Sequence, residues 1–565
     1  MNFKFGISLI LALTGYFCIS AKPAKPGILQ ALQPDGSYIN IRLIGDEIKH
    51  AVFSEDSLML TLDQDGFYVF ADIDYKGVIN STQYRDINLL QRSDITKKFL
   101  KTINQQSLLE AVFSDNETPT RSALPGLADT RFPAFGDHRS PVILVEFNDM
   151  DFSLPDPYDY FYRMLNERGF ADFGSTGSAK DYFVSNSNGI FNPQFDVYGP
   201  VKLSKNYSYY GKNSPQMTDI YAHFMVAEAC ELLDDEIDFS LYDCNDDGYV
   251  DNVYIFYAGY GECDGGSADT IWPHSYDLQF MMTPPVLDGV KVNHYACSNE
   301  LQTPTNKPDG IGSFCHEFCH VLGLPDLYST NFSNAFTPGY WDILDVGSYN
   351  NEGRTPPNFS SFARTALGWL SPETLSYGHQ KLYPLDYSNT AFYVPTEKDN
   401  EYFLFENRQR IGFDAFLPGH GMLIWHVDFN QKKWNNNTVN NDRAHQYVDL
   451  IEADNVWSER SYAGDPFPGS KNITEFSPST IPAFKDWNNN EMPFRIFNIS
   501  ERADGTITFV SENYISDGIH EISSVEDKGY TVYNLSGVKI LDKASSLDGL
   551  TPGFYIINGL KLRIK

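Results

Sequence analysis

Residues 316–326 read His-Glu-Phe-Cys-His-Val-Leu-Gly-Leu-Pro-Asp, and this stretch decides the fold class that we expect. On a helix, His316 and His320 lie one turn apart on the same face, so both imidazoles can bind one zinc ion. Glu317 lies beside them, where it can accept a proton from a zinc-bound water. The spacing therefore predicts a metal site on a helix, of the kind used for metal-assisted hydrolysis.

The residues after the second histidine extend this motif. Gly323 tolerates the positive φ of a sharp turn, which can return Asp326 to the metal as a third ligand. A fourth position would remain open for water, as catalytic zinc requires, although a later carboxylate is an alternative third ligand. The alternative to the whole site is an amphipathic surface helix. Apolar neighbours oppose that alternative, because buried His and Glu are costly unless they bind something. These neighbours are Ile311, Phe314, Phe318, Val321 and Leu322.

Length and charge narrow the class of protein. A chain of 565 residues is too long for one core, so several domains are expected. The net charge of −32 argues against nucleic acids and anionic membranes as partners. This acidity is typical of soluble exported proteins, and carboxylates can also serve as calcium ligands.

The N-terminus has the pattern of an export signal. Lys4 precedes an apolar run over residues 5–13, and the small residues Ser20 and Ala21 offer a cleavage site. Acylation of Cys18 as a lipoprotein is the alternative, which the bulky residues before it disfavour. Elsewhere we find no apolar segment long enough to span a membrane.

The rest of the chain divides into four further segments. A polar linker over residues 114–126 is of the type that proteases nick, so the region before it is interpreted as a propeptide that restrains the enzyme. No cysteine lies between residues 22 and 229, which excludes a cysteine latch and leaves Asp46 or Glu47 as a carboxylate latch. The expected domains are a signal peptide at 1–21, the propeptide at 22–120, a zinc metallopeptidase catalytic domain at 121–375, a β-rich domain at 376–515 and a C-terminal β module at 516–565.

Periodicity predicts the fold class, which is α+β. Continuous apolar runs at 141–147 and 253–258 are typical of central strands, and helices are expected at 219–233 and 359–370. With the zinc helix they favour a two-lobed catalytic domain of the zincin type. Strand patterns at 402–407 and 421–427 predict a C-terminal β-sandwich-like region.

A second metal signal lies at residues 243–251. Acidic and amide residues occupy positions one, three and five of a calcium loop, and Gly248 supplies the sharp turn at position six. Position twelve is Tyr254 rather than the glutamate of a full EF-hand, and an ordinary Asx-rich turn is the alternative. The candidate calcium ligands are Asp243, Asn245, Asp247, Tyr249 and Asp251.

Six cysteines would remain after signal removal, which permits disulfides in an exported chain. Cys315 and Cys319 flank the zinc motif and lie one helical turn apart, so they are poorly placed to pair with each other. Buried free thiols are the alternative to distant disulfide pairs.

Several longer motifs resemble those of the immune-inhibitor-A-like family of secreted bacterial metallopeptidases. The resemblance covers most of residues 131–510 and implies a zinc endopeptidase with a propeptide and calcium dependence. It implies zinc on His316, His320 and Asp326, with Glu317 as the general base. The motifs occupy residues 177–183, 195–200, 243–251, 271–274, 322–328, 367–370 and 421–428.

Two positions qualify the resemblance. Families of this shape usually place methionine in the turn beneath the zinc, and here Leu344, of similar volume, stands in that turn. Tyr349, shortly after, is a candidate for stabilising the oxyanion.

The terminal module, with its closing residues 561–565, is similar to the sorting tails of the bacterial type IX export route, and a plain terminal hairpin is the alternative. Export machinery is therefore one expected partner.

The leading hypothesis is a bacterial zinc endopeptidase, secreted or at the cell surface, that acts on proteins or peptides. It would be made as a zymogen and braced by calcium. The alternative is a surface adhesin whose zinc lobe is structural, against which the intact Glu317 argues.

Overall fold

The computed structural model describes residues 20–46, 49–74, 77–113, 132–214, 217–303, 305–331, 335–458, 460–514 and, with short gaps, most of 530–564. Helices and strands are mixed along the described chain, as the α+β prediction requires. None of the helices in these ranges has the length and apolar character needed to cross a membrane. Residues 1–19, with Cys18 and the apolar run, lie outside the described residues.

The N-terminal region is a small antiparallel sheet with two helices. Its strand order is β2-β3-β4-β5-β6-β7, and the turn glycines Gly36 and Gly66 have φ of +82° and +81°. Residues 94–113 form two helices, the first capped by Ser93. The bounds are β1 Ser20–Ala21, β2 Leu29–Leu32, β3 Tyr38–Gly45, β4 His50–Ser54, β5 Met59–Leu62, β6 Tyr68–Ile73, β7 Ile79–Ser81, α1 Asp94–Leu100 and α2 Gln105–Phe113.

A seven-stranded sheet carries the zinc helix. Its order is β1-β11-β14-β10-β8-β9, with β15 beside β14, and β14, β10, β8 and β9 run parallel. Burial on both faces explains the apolar runs that marked β8 and β10 in the sequence. The bounds are β8 Arg139–Glu146, α3 Pro157–Asn166, α4 Ala179–Asn186, β9 Gln194–Lys202, α5 Tyr207–Tyr210, α6 Ala222–Leu232, β10 Val253–Tyr260, β11 His274–Asp277, β12 Val286–Leu287, β13 Val290–Lys291, β14 His294–Gln302, β15 Lys307–Pro308, α7 Ile311–Val321 and α8 Ser361–Ala366.

Aromatic packing fixes the zinc helix α7 on this sheet. The ring of Phe314 lies 4.4 Å from that of Tyr254 and 4.9 Å from that of Phe195, measured between centroids. One turn later, Phe318 contacts Phe195 at 5.4 Å. The apolar residues that set this helix apart in the sequence therefore anchor one of its faces and orient the opposite face.

The β-rich region consists of two sheets that share one hydrophobic core. Their orders are β16-β18-β19-β20-β21 and β17-β24-β23-β22. Phe403 and Phe405 of β19 enter the shared core, whereas Leu404 faces the core around the zinc helix. The bounds are β16 Glu373–Thr374, β17 Gly378–Leu382, α9 Leu385–Ser388, β18 Phe392–Pro395, β19 Glu401–Arg408, β20 Gly421–Asp428, α10 Gln431–Asn435, β21 Val448–Leu450, β22 Glu475–Phe476, β23 Phe494–Glu501 and β24 Ile507–Asn513.

Beyond this region the described chain ends in a four-stranded antiparallel sheet, of order β26-β25-β27-β28. Both strand patterns that the sequence suggested there, at 530–534 and 553–557, are strands. The bounds are β25 Tyr530–Asn534, β26 Lys539–Ala544, β27 Gly553–Ile557 and β28 Leu560–Ile564.

The six cysteines of the described chain are free thiols. Five are buried and Cys244 is exposed. Cys315 and Cys319 belong to the apolar core around α7, which is the role of small hydrophobic residues. Of the two alternatives that the sequence left open, the structure has the free thiols.

Candidate active site

Three side chains converge on one point at the end of α7. The Nε2 atoms of His316 and His320 lie 3.2 Å apart, and each lies 3.3 Å from Oδ1 of Asp326. A zinc ion with tetrahedral bonds of about 2.0–2.1 Å separates its ligand atoms by about 3.3 Å. Among the described residues, no other group of three His, Cys, Asp or Glu side chains comes within ligand reach of one point.

The sharp turn after α7 delivers Asp326 to this point. Gly323 has a φ of +89°, where a side chain would be strained. The N–H groups of Gly323 and Leu324 close the helix by donating to the carbonyls of His320 and Cys319, at 2.9 and 3.0 Å. The structure thus brings together the residues at the spacing that the sequence predicted.

Backbone carbonyls orient both imidazoles. Nδ1 of His316 lies 2.6 Å from the carbonyl of Ile343, and Nδ1 of His320 lies 2.8 Å from that of Leu324. A carbonyl only accepts, so both Nδ1 atoms carry a proton, and each ring in its neutral form presents an Nε2 lone pair. Leu344, next to Ile343, is fully buried in the expected turn.

The donor set fits a transition metal. Two Nε2 lone pairs and a carboxylate oxygen face one another at about van der Waals distance and are shielded from water. Such an arrangement is repulsive unless a proton or a cation lies between the three atoms. Imidazole and carboxylate ligands with an open fourth position are typical of catalytic zinc.

Asn437 orients the carboxylate ligand, and sequence reasoning missed it. Its Nδ2 donates to Oδ2 of Asp326 at 2.5 Å, and its Oδ1 accepts from the N–H of Asp326 at 2.7 Å. These two bonds turn Oδ1 of the carboxylate toward the histidines. Asn437 lies in an asparagine-rich stretch at 435–441, and nothing in the pattern of this stretch indicates which asparagine reaches back 111 residues.

Replacing Asn437 with alanine is expected to weaken zinc binding by about 10–100-fold, because partners of metal ligands typically contribute that much. Competition with a zinc-selective chelator would measure the affinity. Asn441→Ala is the matched control, since the Asn441 amide contacts Thr330 instead of a ligand. Equal zinc affinity in the two variants would contradict this role for Asn437.

Glu317 is fully buried beside the three ligands. Burial raises its pKa to about 7, although His316 and His320 oppose the rise. Its Oε1 accepts a hydrogen bond from the N–H of Lys22 at 2.9 Å, and its Oε2 has no hydrogen-bond partner among the described residues. A buried carboxylate with a free oxygen is suited to accepting a proton.

The chain around Lys22 lies across the site. Strand β1 (Ser20–Ala21) extends the sheet by pairing antiparallel with β11, with Ala21 opposite His274. Trp272 Nε1 then donates to the carbonyl of Lys22 at 2.8 Å, and the Tyr349 hydroxyl donates to the carbonyl of Pro23 at 2.7 Å. An extended segment thus passes Glu317 with its backbone bound on both sides.

This arrangement changes the expected latch. Asp46 accepts a hydrogen bond from the N–H of Lys49 at 2.9 Å, and Glu47 lies outside the described residues. Lys22, and not a carboxylate, is the residue bound to Glu317. Tyr349, expected near an oxyanion, contacts a carbonyl of the N-terminal segment. Sequence patterns could not indicate that Lys22 contacts Glu317, because 295 residues separate them along the chain.

The candidate calcium loop is folded by its own side chains. Asp243 accepts from the N–H groups of Asp247 and Gly248 at 3.0 and 2.9 Å, and Asn245 accepts from that of Asp247 at 2.9 Å. Burial raises the pKa of Asp251 to about 6, and the charges of Asp243 and Asp247 add to the rise. Calcium binding by the five predicted ligands therefore stays a prediction.

The histidines of the β-rich region form ordinary pairs. His426 lies 2.9 Å from Glu401, and His445 lies 2.8 Å from Asp428. His420 pairs with Glu501. Among the described residues, none of these histidines belongs to a group of side chains that could hold a metal ion.

Comparison with known proteins supports a peptidase. Residues 156–371 match the family model described as immune inhibitor A peptidase M6, catalytic domain. The chain is 28% identical over 347 residues to the pre-pro-metalloprotease PrtV of Vibrio cholerae serotype O1, which covers 54% of this chain and 37% of that protein. It is 30% identical over 165 residues to immune inhibitor A of Bacillus thuringiensis subsp. alesti, which covers 26% of this chain and 24% of that protein. The matches thus span well under two thirds of these relatives.

Proposed function

We propose that this chain, whose residues 156–371 carry a peptidase M6 catalytic domain of the immune inhibitor A type, is a secreted bacterial zinc endopeptidase. The observation that carries the proposal is the convergence of His316, His320 and Asp326 at 3.2–3.3 Å beside the buried Glu317. Protein or peptide chains are the proposed substrates. We assign the zinc ligands and the general base as the sequence predicted them.

The chemistry follows from the positions of these groups. Zinc, when bound, supplies a Lewis acid that lowers the pKa of water and polarises the scissile carbonyl. Glu317 accepts the proton of the attacking water. Its Oε1 lies 2.9 Å from the nitrogen of Lys22, so the same carboxylate can pass that proton to a leaving amine at this position.

Strand β1 indicates how a substrate binds. The edge of β11 that β1 occupies would become free for an extended substrate chain once β1 leaves, and main-chain pairing of this kind tolerates many side chains. The Ala21–Lys22 peptide bond lies at Glu317, where a scissile bond belongs. A substrate would therefore run antiparallel to β11 and continue past Tyr349.

The same contacts support latency. While Lys22 occupies Glu317, no substrate nitrogen can take that position, so the segment at 22–120 acts as a propeptide. The name of PrtV describes that relative as a pre-pro-metalloprotease. We propose signal removal after Ala21 and release of the propeptide by cleavage within 114–126.

The remaining architecture follows the same proposal. Sheet and zinc helix form one lobe of a zincin-type domain, and the segment after Gly323 begins the other. The two sheets that share a core after residue 375 form a sandwich-like region, and the module at 516–565 serves export or attachment to the cell surface. Calcium on the loop at 243–251 would relieve the repulsion among its carboxylates.

Removing zinc is expected to abolish hydrolysis of casein by the linker-cleaved protein, and added zinc is expected to restore it, because the reaction needs the metal. A calcium-selective chelator is expected to lower the melting temperature without removing zinc. Activity and thermal unfolding, measured in parallel, separate the two metals. Casein hydrolysis that persists in zinc-free protein would refute the proposed function and favour an adhesin.

A further inference from the structure

A closed acidic pocket beside Glu317 holds the side chain of Lys22. The ammonium donates to Ser313 Oγ at 2.6 Å and lies 3.8 Å from the centre of the Tyr349 ring. Lys22 is fully buried, and so are the side chains that surround its ammonium. A buried lysine with a hydrogen bond and an aromatic face indicates a pocket shaped for a cation.

Two carboxylates give this pocket its charge. Asp309 accepts from the Ser313 hydroxyl and, through its Oδ1, from Gln302 Nε2 at 2.7 Å. Asp264 is fully buried, and its Oδ1 lies 3.8 Å from Nζ of Lys25. Burial lowers the pKa of Lys22, but Asp309 and Asp264 raise it further, so the net change is upward. The ammonium therefore stays charged inside the pocket.

The pocket belongs to the reaction centre and not only to the propeptide. Ser313 and Glu317 lie one turn apart on α7, so the zinc helix itself forms one wall. Asp309 lies just before the helix, and Tyr349 follows the turn beneath His316. Ser313, Tyr349 and the two carboxylates belong to the catalytic segment and remain after the propeptide leaves with Lys22 and Lys25.

The backbone identifies which substrate residue would fill it. The N–H of Lys22 lies at Glu317, the position of the leaving amine in the proposed reaction. The side chain in the pocket is therefore that of the residue immediately after the scissile bond. In the free enzyme this side chain would come from the substrate.

We propose, building on the peptidase function above, that this pocket selects lysine as the residue after the cleaved bond. Without a cation it holds two buried carboxylates, and an apolar side chain would seal them from water unpaired. A lysine restores the ammonium contacts to Ser313 and the Tyr349 ring, and its charge offsets those of the two carboxylates. An acidic side chain would add a third like charge.

Matched peptides test this selectivity. The propeptide-free enzyme, produced by a protease site inserted within 114–126, is given peptides that differ only in Lys, Arg, Leu or Glu after an alanine. We expect kcat/KM to be at least about 30-fold higher for Lys than for Leu, because an unpaired buried charge costs at least this factor. Mass spectrometry of a digested protein mixture should show lysine as the dominant new N-terminal residue.

Pocket variants link the preference to its cause. Asp264→Asn and Asp309→Asn are each expected to reduce the Lys-to-Leu ratio of kcat/KM by about tenfold or more. Glu228→Gln on α6, a carboxylate that contacts Tyr210 and the N–H of Ser204, is the control and should keep the ratio.

The outcomes separate this proposal from the function on which it rests. Zinc-dependent cleavage with Lys and Leu peptides within about threefold of each other would overturn the lysine preference and leave the peptidase intact. A lysine preference that survives both pocket variants would overturn the role of the carboxylates. Absence of cleavage of every peptide and of casein would overturn both proposals.

Discussion

Glu317→Ala is expected to lower kcat for peptide hydrolysis by about 10²–10⁴-fold while zinc stays bound, the range that a positioned general base contributes. The variant removes the carboxylate that accepts from the N–H of Lys22, and it leaves His316, His320 and Asp326 in place. Turnover of a quenched peptide and zinc content by atomic absorption, measured on the same preparation, give the two readings.

Two further variants serve as controls for Glu317→Ala. His320→Ala is expected to lose zinc and activity together, because it removes a ligand. Glu228→Ala, on α6 and away from the ligands, is expected to keep both. An undiminished turnover in Glu317→Ala would refute the assignment of the base, and loss of zinc from that variant would give Glu317 a structural role instead.

Most of the candidate metal site could be predicted from residues that lie close together in the sequence. The candidate ligands His316, His320 and Asp326 lie within eleven residues, so helix periodicity and one glycine turn determine their convergence. The same holds for the strands, since β8 and β10 coincide with continuous apolar runs and β3 with an alternating one. Such features depend on neighbours in sequence, which pattern reasoning can use.

Contacts between distant segments were not accessible in this way. Asn437 reaches Asp326 across 111 residues, and Lys22 reaches Glu317 across 295. Asparagine in a loop and lysine near a cleavage site are common, and their partners depend on how whole sheets pack. The position of Leu404 could not be predicted either. Alternation along β19 predicts that the strand has two faces, but it does not predict that the face with Leu404 completes the core around α7.

Breaks within helical patterns were also missed. The stretch at 94–113 forms α1 and α2 with a turn between them, and the helix expected at 359–370 is reduced to α8, Ser361–Ala366. In the second case Gly368 adopts a φ of +73° after the last turn, which ends the helix. Propensity alone places such ends poorly, because tertiary contacts decide them.

Lys22→Ala in the uncut full-length chain is expected to raise residual peptidase activity by at least about 30-fold, because it leaves buried carboxylates without their cation. In the structure, Lys22 Nζ contacts Ser313 and the Tyr349 ring, and the charges of Asp264 and Asp309 stabilise its ammonium. Alanine keeps the backbone bond to Glu317 but loses these contacts, so the open state gains population.

The measurement is hydrolysis of a quenched peptide by protein shown by mass spectrometry to begin at residue 22 and to be intact through the linker. Lys25→Ala is the matched control, because Lys25 is partly exposed and its ammonium lies 3.8 Å from Asp264, at the edge of the same charge cluster. A smaller effect is expected there, since Lys25 is partly exposed and solvent screens its charge more than that of the fully buried Lys22. If Lys22→Ala stays as inactive as the unaltered chain, the backbone hydrogen bonds of residues 22 and 23 to Glu317, Trp272 and Tyr349 suffice for latency. The lysine pocket then contributes nothing to closing the cleft.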